Sequence, residues 1–311
     1  MSYTVQAGES LSHAVKRVSR AELRHARKAL EHPTGSAADD AHALRLATKK
    51  VRAVARLVEP VMGRRARRAN HALGGCADML ASVRDAGVAV RTFETVRATL
   101  PARMRSPTDG VRAALAERLR HESRKTDPGG DGKRVLRKLR RVLRRQHEEV
   151  SRWAPDGHGW KAIGQGLQAG YRRARRAMHR AYRDPNGDTF HAWRRAVKAH
   201  RYQVRLLSPC APDELKARAA DLARLGEWLG DEHDLTMLRR TLRANRSWFG
   251  DESEAYYEVI RRIDQQRREK RMRALPVGEQ LFAEPPRALA RRMRQHFRDF
   301  RRSSAPVAEA A

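Results

Sequence analysis

Residues 42–60 read HALRLATKKVRAVARLVEP, and residues 191–209 read HAWRRAVKAHRYQVRLLSP. The two align without a gap at an offset of 149 and agree at nine of nineteen positions. The shared set is His42/His191, Ala43/Ala192, Arg45/Arg194, Ala47/Ala196, Lys49/Lys198, Arg52/Arg201, Arg56/Arg205, Leu57/Leu206 and Pro60/Pro209. Six of the nine are not apolar, so the repeat keeps its charges better than its core. The same offset aligns Arg84-Asp85 with His233-Asp234, and 23–30 resembles 171–178 at an offset of 148. A unit of this length is too long for a solenoid repeat and suits a duplicated helical bundle. The chain must therefore fold as two copies of one helical unit: repeat 1 over about 10–153, a linker at 154–158, and repeat 2 over about 159–303. The two form a single domain within 1–305, and 304–311 is expected to be a flexible tail.

Apolar residues recur at spacings of three and four in nearly every long segment, with no strand-like alternation, so the fold class is all-α. The spacing predicts helices at about 10–31, 38–59, 64–100, 110–124 and 130–153, then 159–183, 188–207, 212–246, 251–274 and 286–303. EHPTGSAADD, TDPGGDG, APDGHG, RDPNGD and LPVGEQ read as turn or linker clusters. Pro60 and Pro209 are expected to close matching helices, with Asp39 or Asp40 and Asp188 as their N-caps. Gly74–Gly75 or Gly87 is expected to bend or break the 64–100 helix.

On a helix, His42, Arg45, Lys49, Arg52 and Arg56 fall within an arc of about 80°, at 100° per residue. Leu44, Ala47, Val51, Val54 and Val58 occupy the opposite side. One face packs and the other is a ladder of cations. His191, Arg194, Lys198, Arg201 and Arg205 repeat it. An ordinary solvated face mixes signs, because like charges three or four apart repel by a few tenths of a kcal/mol. Related stripes run through His13, Arg17, Arg20, Arg24, Arg27 and Lys28, and through Arg172, Arg175, Arg176, His179 and Arg183. Others carry Arg137, Lys138, Arg141 and Arg145, and Arg291, Arg294 and Arg298. His42 and His191 open their helices, where the dipole disfavours a further cation, so both are expected to be neutral. Either they donate to phosphate or they only begin the helix. Asp85 and Asp234 are candidates to orient those rings or a neighbouring arginine.

The 311 residues hold 67 Lys+Arg, mostly arginine, against 36 Asp+Glu, a net charge of +31. Such a field calls for a polyanion: nucleic acid, an anionic membrane surface or inorganic polyphosphate. The 5% aromatic content disfavours base stacking on single strands. Two cysteines, Cys76 and Cys210, without metal-type spacing fit a reducing, cytoplasmic setting. No signal-peptide pattern and no run long enough to span a membrane are present in the sequence. Catalytic signatures are missing as well. There is no P-loop, GQGLQAG departs from the dinucleotide fingerprint, and HEEVS lacks a second histidine. No nucleophile elbow or metal cluster is visible, and no cofactor is implied. ESEAYY (252–257) matches half of a triphosphatase acid signature but has Tyr256 where lysine is required. The chain is expected not to be an enzyme.

The twice-present His-x-x-Arg-x-x-x-Lys-x-x-Arg helix, followed by the RD and LGDEHDLTML segments in a basic helical chain, resembles the CHAD (conserved histidine α-helical domain) family. The likeness covers about 10–303. It implies two tandem four-helix bundles related by a pseudo-twofold, with a basic groove or channel between them. It further implies binding of inorganic polyphosphate, and association with polyphosphate or polyhydroxyalkanoate granules. The two ladders, His42 to Arg56 and His191 to Arg205, are the positions that would carry it. Some members are fused to a triphosphatase domain whose motif is missing here, so this would be a stand-alone member. The alternatives are an RNA- or DNA-binding protein and a polyphosphate or triphosphate hydrolase. The first lacks a recognisable motif and the second lacks an acid cluster for Mg²⁺.

Overall fold

A computed structural model describes residues 2–31, 37–79, 81–124, 132–155, 159–251 and 253–303. The proposed tail, and parts of the turn clusters at 31–40, 126–132 and 154–159, lie outside the described residues. Eleven α-helices follow in order: α1 Leu11–Glu31, α2 Ala37–Met62, α3 Arg64–Asp78, α4 Ala81–Ala98, α5 Asp109–Arg124 and α6 Gly132–Ser151 in the first repeat. The second repeat holds α7 Gly164–Arg183, α8 Gly187–Leu206, α9 Pro212–Ala244, α10 Ser253–Leu281 and α11 Pro286–Ser303. Among the described residues there is no strand.

Several boundaries differ from the local signals. The 64–100 segment is two helices parted after Asp78, whereas Gly74, Gly75 and Gly87 lie inside helices. A Cβ at Gly74 would sit 3.4 Å from the Arg52 guanidinium, so this glycine makes room for a ladder side chain rather than bending the helix. Helix α2 continues through Pro60 to Met62 and turns at Gly63, whose φ of 52° suits glycine. Its start at Ala37 puts Asp39 and Asp40 inside the first turn, not at the cap. Asn186, not Asp188, caps α8. Its side chain accepts from the Asp188 and Thr189 backbone N–H groups, and Thr189 reciprocates. LPVGEQ does not end α10, which runs through Pro276 to Leu281. Packing overrides the proline there, because Gly278 lies so close to Trp193 and Met178 that a Cβ would come within 2.7 Å and 2.9 Å of them.

Helices α1, α2, α3 and α6 form a ring of neighbours in which each packs on the next. In the second repeat α7 packs on α8 and α11, and α8 on α9. Glu214 of α9 closes that ring by pairing with Arg292 and His296 of α11. The corresponding helices thus keep the same neighbours in both copies. Outside each ring lies a hairpin, α4–α5 in one copy and the end of α9 with α10 in the other.

The copies are not independent bundles. One contiguous core runs through both, from Leu44, Val51 and Leu57 of α2 to Trp193, Val197 and Leu206 of α8. A second, smaller core joins the hairpins, with Phe93, Val111 and Leu115 facing Leu238, Phe249 and Ile263. Contact between copies is close. A Cβ at Gly166 of α7 would lie 1.8 Å from the Leu57 carbonyl oxygen of α2. The Gln203 amide of α8 donates to the Ala53 carbonyl of α2 (3.4 Å). The Val5 N–H, near the N-terminus, donates to the Leu206 carbonyl at the end of α8 (2.9 Å).

Candidate anion-binding site

Leu44, Ala47, Val51, Val54 and Val58 of α2 are buried, as the spacing requires, which turns the ladder of α2 away from its own core. It turns toward α8. The Lys49 ammonium is pushed down to about 7, by burial first and then by Lys198, Arg45, Arg194 and Arg84. Lys198 falls to about 8, again by burial first and then by Arg194 and Arg84, with Asp234 acting the other way. Burial with surrounding arginines lowers Arg45, Arg52 and Arg194 and takes Arg56 to about 10. Cations of two repeats therefore share one half-buried space in which each disfavours the others' charge.

The partners of these cations are few. Arg45 donates to the Ala77 carbonyl near the end of α3 (2.8 Å), and Arg52 donates to Asn70 Oδ1 (3.0 Å). Among the described residues, Lys49, Arg56 and Lys198 make no side-chain hydrogen bond or ion pair, and Arg194 Nε is buried without an acceptor. Small residues seat the ladder of α8 as Gly74 seats Arg52. A Cβ at Gly226 would be 3.7 Å from Lys198 Cγ, and one at Gly230 3.7 Å from Arg194 Nε. Buried cations without counterions are costly, so an anion placed among them recovers both Coulomb energy and hydrogen bonds.

Not every ladder position joins. Arg201 is half-buried beside Lys198. Arg205 is exposed and lies over the Tyr3 ring (5.9 Å to the centroid), held there by the N-terminal segment. His42 is exposed. His191 is half-buried and meets His233, with Nδ1 atoms 3.1 Å apart and ring centroids at 4.2 Å. Burial, then Arg194 and Arg195, pushes His191 down, which favours its neutral form. Asp85 and Asp234 orient neither ring. Both flank Arg84, at 2.9 Å and 3.6 Å.

Most residues of the other stripes face outward, although Arg175 Nε is buried without an acceptor. Arg17 is taken up by Glu9 (2.7 Å) and by the Ser2 and Thr4 carbonyls. Arg20, Arg24 and Arg27 surround His147 of α6 and lower it after burial does. Lys28, Arg137, Lys138, Arg141, Arg145, Arg176, His179, Arg291, Arg294 and Arg298 are exposed, and Arg172 and Arg175 half-buried. None is among the principal charges acting on Lys49 or Lys198. The site instead includes residues that the stripe reasoning passed over: Arg84 of α4, His233 of α9, and Arg173 and Arg195, which press on Arg56. The repeat did carry a signal for two of them, since Arg84-Asp85 and His233-Asp234 align.

The model of one protein family, the CHAD domain, matches residues 17–243, from α1 to the end of α9. The chain belongs to the CHAD domain family. The crystal structure of the CHAD domain from the plant Ricinus communis superposes with a TM-score of 0.61 at 17% identity. The match covers 89% of this chain and 94% of that one, and at this identity it speaks for the fold alone. No curated protein matches the chain. The all-α CHAD fold therefore holds for this sequence, and no helix among the described residues is long and apolar enough to cross a membrane.

Proposed function

We propose that this CHAD protein binds inorganic polyphosphate between α2 and α8 and does so without catalysis. The observation that carries the reading is the convergence of Arg45 and Lys49 of one repeat with Arg194 and Lys198 of the other in one half-buried space, continued along α2 by Arg52 and Arg56, with Asp78, Asp85 and Asp234 as the nearby acids. A flexible chain of phosphates, without bases to stack or edges to read, needs spaced cations and little else. The low aromatic content of the chain, 5%, fits a base-free ligand better than single-stranded nucleic acid. Affinity would come from released counterions and from guanidinium forks on phosphate oxygens. No group of three metal-ligating side chains occurs among the described residues, which favours binding over metal-assisted hydrolysis. Association with a polyphosphate granule would follow from the same contacts.

The test is competition among long-chain polyphosphate, tRNA and duplex DNA at about 0.15 M salt, where surface charge is largely screened. Polyphosphate should hold its place against both nucleic acids, and stoichiometric displacement by either would overturn the reading. Phosphate released on adding Mg²⁺ would establish a hydrolase instead. The double variant Arg45→Ala/Arg194→Ala should weaken binding and flatten its salt dependence by roughly 1.5 in log–log slope, at about 0.7–0.9 per lost phosphate contact. An unchanged slope would put the site elsewhere.

A further inference from the structure

The His191–His233 pair adjoins the ladder but has a different chemistry from it. Its Nδ1–Nδ1 distance of 3.1 Å requires one ring to donate and the other to accept. Whichever ring donates, its own Nε2 is left bare, while the accepting ring carries its proton on Nε2. The neutral pair therefore offers one donor and one acceptor. His233 also lines a small cavity between the two hairpins, with Arg84, Arg118, Asp85 and Asp234 in its walls. That cavity again mixes cationic donors with carboxylate acceptors.

An interior phosphate of a polyphosphate chain carries no proton and has only acceptor oxygens. It can use the cations of the ladder, but a bare imidazole nitrogen or a carboxylate repels it. A terminal phosphate is different: its second ionisation lies at about pH 6, so near neutrality it still samples a P–OH. That group donates one hydrogen bond and accepts several. The geometry points to a chain-end subsite at His191, His233 and Arg84, which recognises the terminal phosphate of the polyphosphate whose interior units occupy the α2–α8 ladder. The inference rests on the polyphosphate reading and adds a specificity to it.

The charges around the pair support a neutral state. His191 faces Arg194, Arg195 and Asp188 of its own helix and Arg240 of α9. His233 faces His191 and Arg194 of α8, Arg84 of α4 and Arg240 of its own helix. Burial is the larger cause, and His191 with the cations Arg194, Arg84 and Arg240 adds to it, so His233 is pushed down to about 3 even with Asp85 and Asp234 in the adjoining cavity wall. Asp188 does not alter this, because it is paired with Arg240 at 2.9 Å.

The experiment compares linear polyphosphate of one length with the same chain capped at both ends as alkyl esters. Uncapped chains should bind about tenfold tighter at about pH 6, the worth of one charge-assisted hydrogen bond. The advantage should shrink toward about pH 8.5 as the terminal proton is lost. Charge alone predicts the opposite trend, since the end group gains charge with pH. Titration of Lys49 and Lys198 affects both ligands alike and cancels in the ratio. His233→Ala should abolish the advantage. A ³¹P spectrum with the unmodified protein, in which end and middle phosphates resolve, should show the end resonances broadening first. Equal affinities, an advantage that grows with pH, or middle groups broadening first would each overturn the chain-end subsite. Failure of both chains to bind would instead overturn the polyphosphate reading itself.

Discussion

Lys49→Met is the substitution that most directly tests the electrostatics of the site. The lysine titrates at about 7 in the folded protein against an ordinary 10.5. Between those values the unfolded chain holds a proton that the folded chain has released, so stability rises with pH across that window. Below about pH 7 the folded state bears the full cost of the charge, ~5 kcal/mol at 1.36 kcal/mol per pH unit. Methionine keeps the length and removes the charge. The variant should therefore be more stable than the parent by up to ~5 kcal/mol at about pH 6, with the gain fading toward pH 10. Binding should move the other way. At about pH 7.5 roughly a quarter of Lys49 and three quarters of Lys198 are charged, and a polyanion that restores both charges takes up about one proton. Calorimetry in buffers of different ionisation enthalpy reads that number directly. It should be about one for the parent and fall to roughly a quarter in Lys49→Met, with weaker binding. A variant no more stable at low pH, or a proton uptake that the substitution leaves unchanged, would refute the reasoning.

Glu232 is fully buried on α9 and accepts from Arg267 and Arg271 of α10 and from Thr236. Glu232→Ala removes the buried carboxylate that Arg267 and Arg271 share, leaving Arg267 only Asp264 and Arg271 only the Pro185 carbonyl, and should cost ~3 kcal/mol, lowering Tm by roughly 2 °C per kcal/mol; a shift within a degree or two would deny the network its structural role. Gly166→Ala should destabilise by ~1–3 kcal/mol, because its Cβ would meet the Leu57 carbonyl oxygen at 1.8 Å. Gly75→Ala has open space at the same test and should be neutral or stabilising by up to ~1 kcal/mol, so denaturant midpoints that move alike in the two variants would argue against the close α2–α7 contact.

Much of the helical layout was legible because apolar spacing reports directly which side of a helix is buried. Leu44, Val51 and Val58 are buried where the period of 3.6 puts them, and the 149-residue offset carries one helix, α2, onto another, α8. The misreadings fall where tertiary contact outweighs a local preference. Pro276 looks like a stop, yet α10 passes it because Gly278 lets the helix settle on Trp193 and Met178. Gly74 looks like a hinge, yet it is the seat of Arg52. Arg205 matches Arg56 in sequence, yet it is exposed over the Tyr3 ring while Arg56 is half-buried among cations.

The sequence by itself determined the all-helical class, the duplication and the presence of cation ladders, because each follows from periodicity within one helix or from identity between two. The repeat and the family resemblance singled out the ladders at 42–56 and 191–205, but periodicity alone could not rank them above the other stripes. A stripe on α1 and a stripe on α2 have the same spacing and the same charge, and periodicity reports only the phase of a helix about its own axis. Which stripe ends at solvent and which meets another stripe depends on how the two repeats dock. The close approach of Gly166 to Leu57 and of Gln203 to Ala53 set that docking. It turned Lys49 toward Lys198, added Arg84 from a neighbouring hairpin, and left the arginines of α6 and α11 outside. Burial then did what no count of charges reveals, lowering Lys49 to about 7 and Lys198 to about 8.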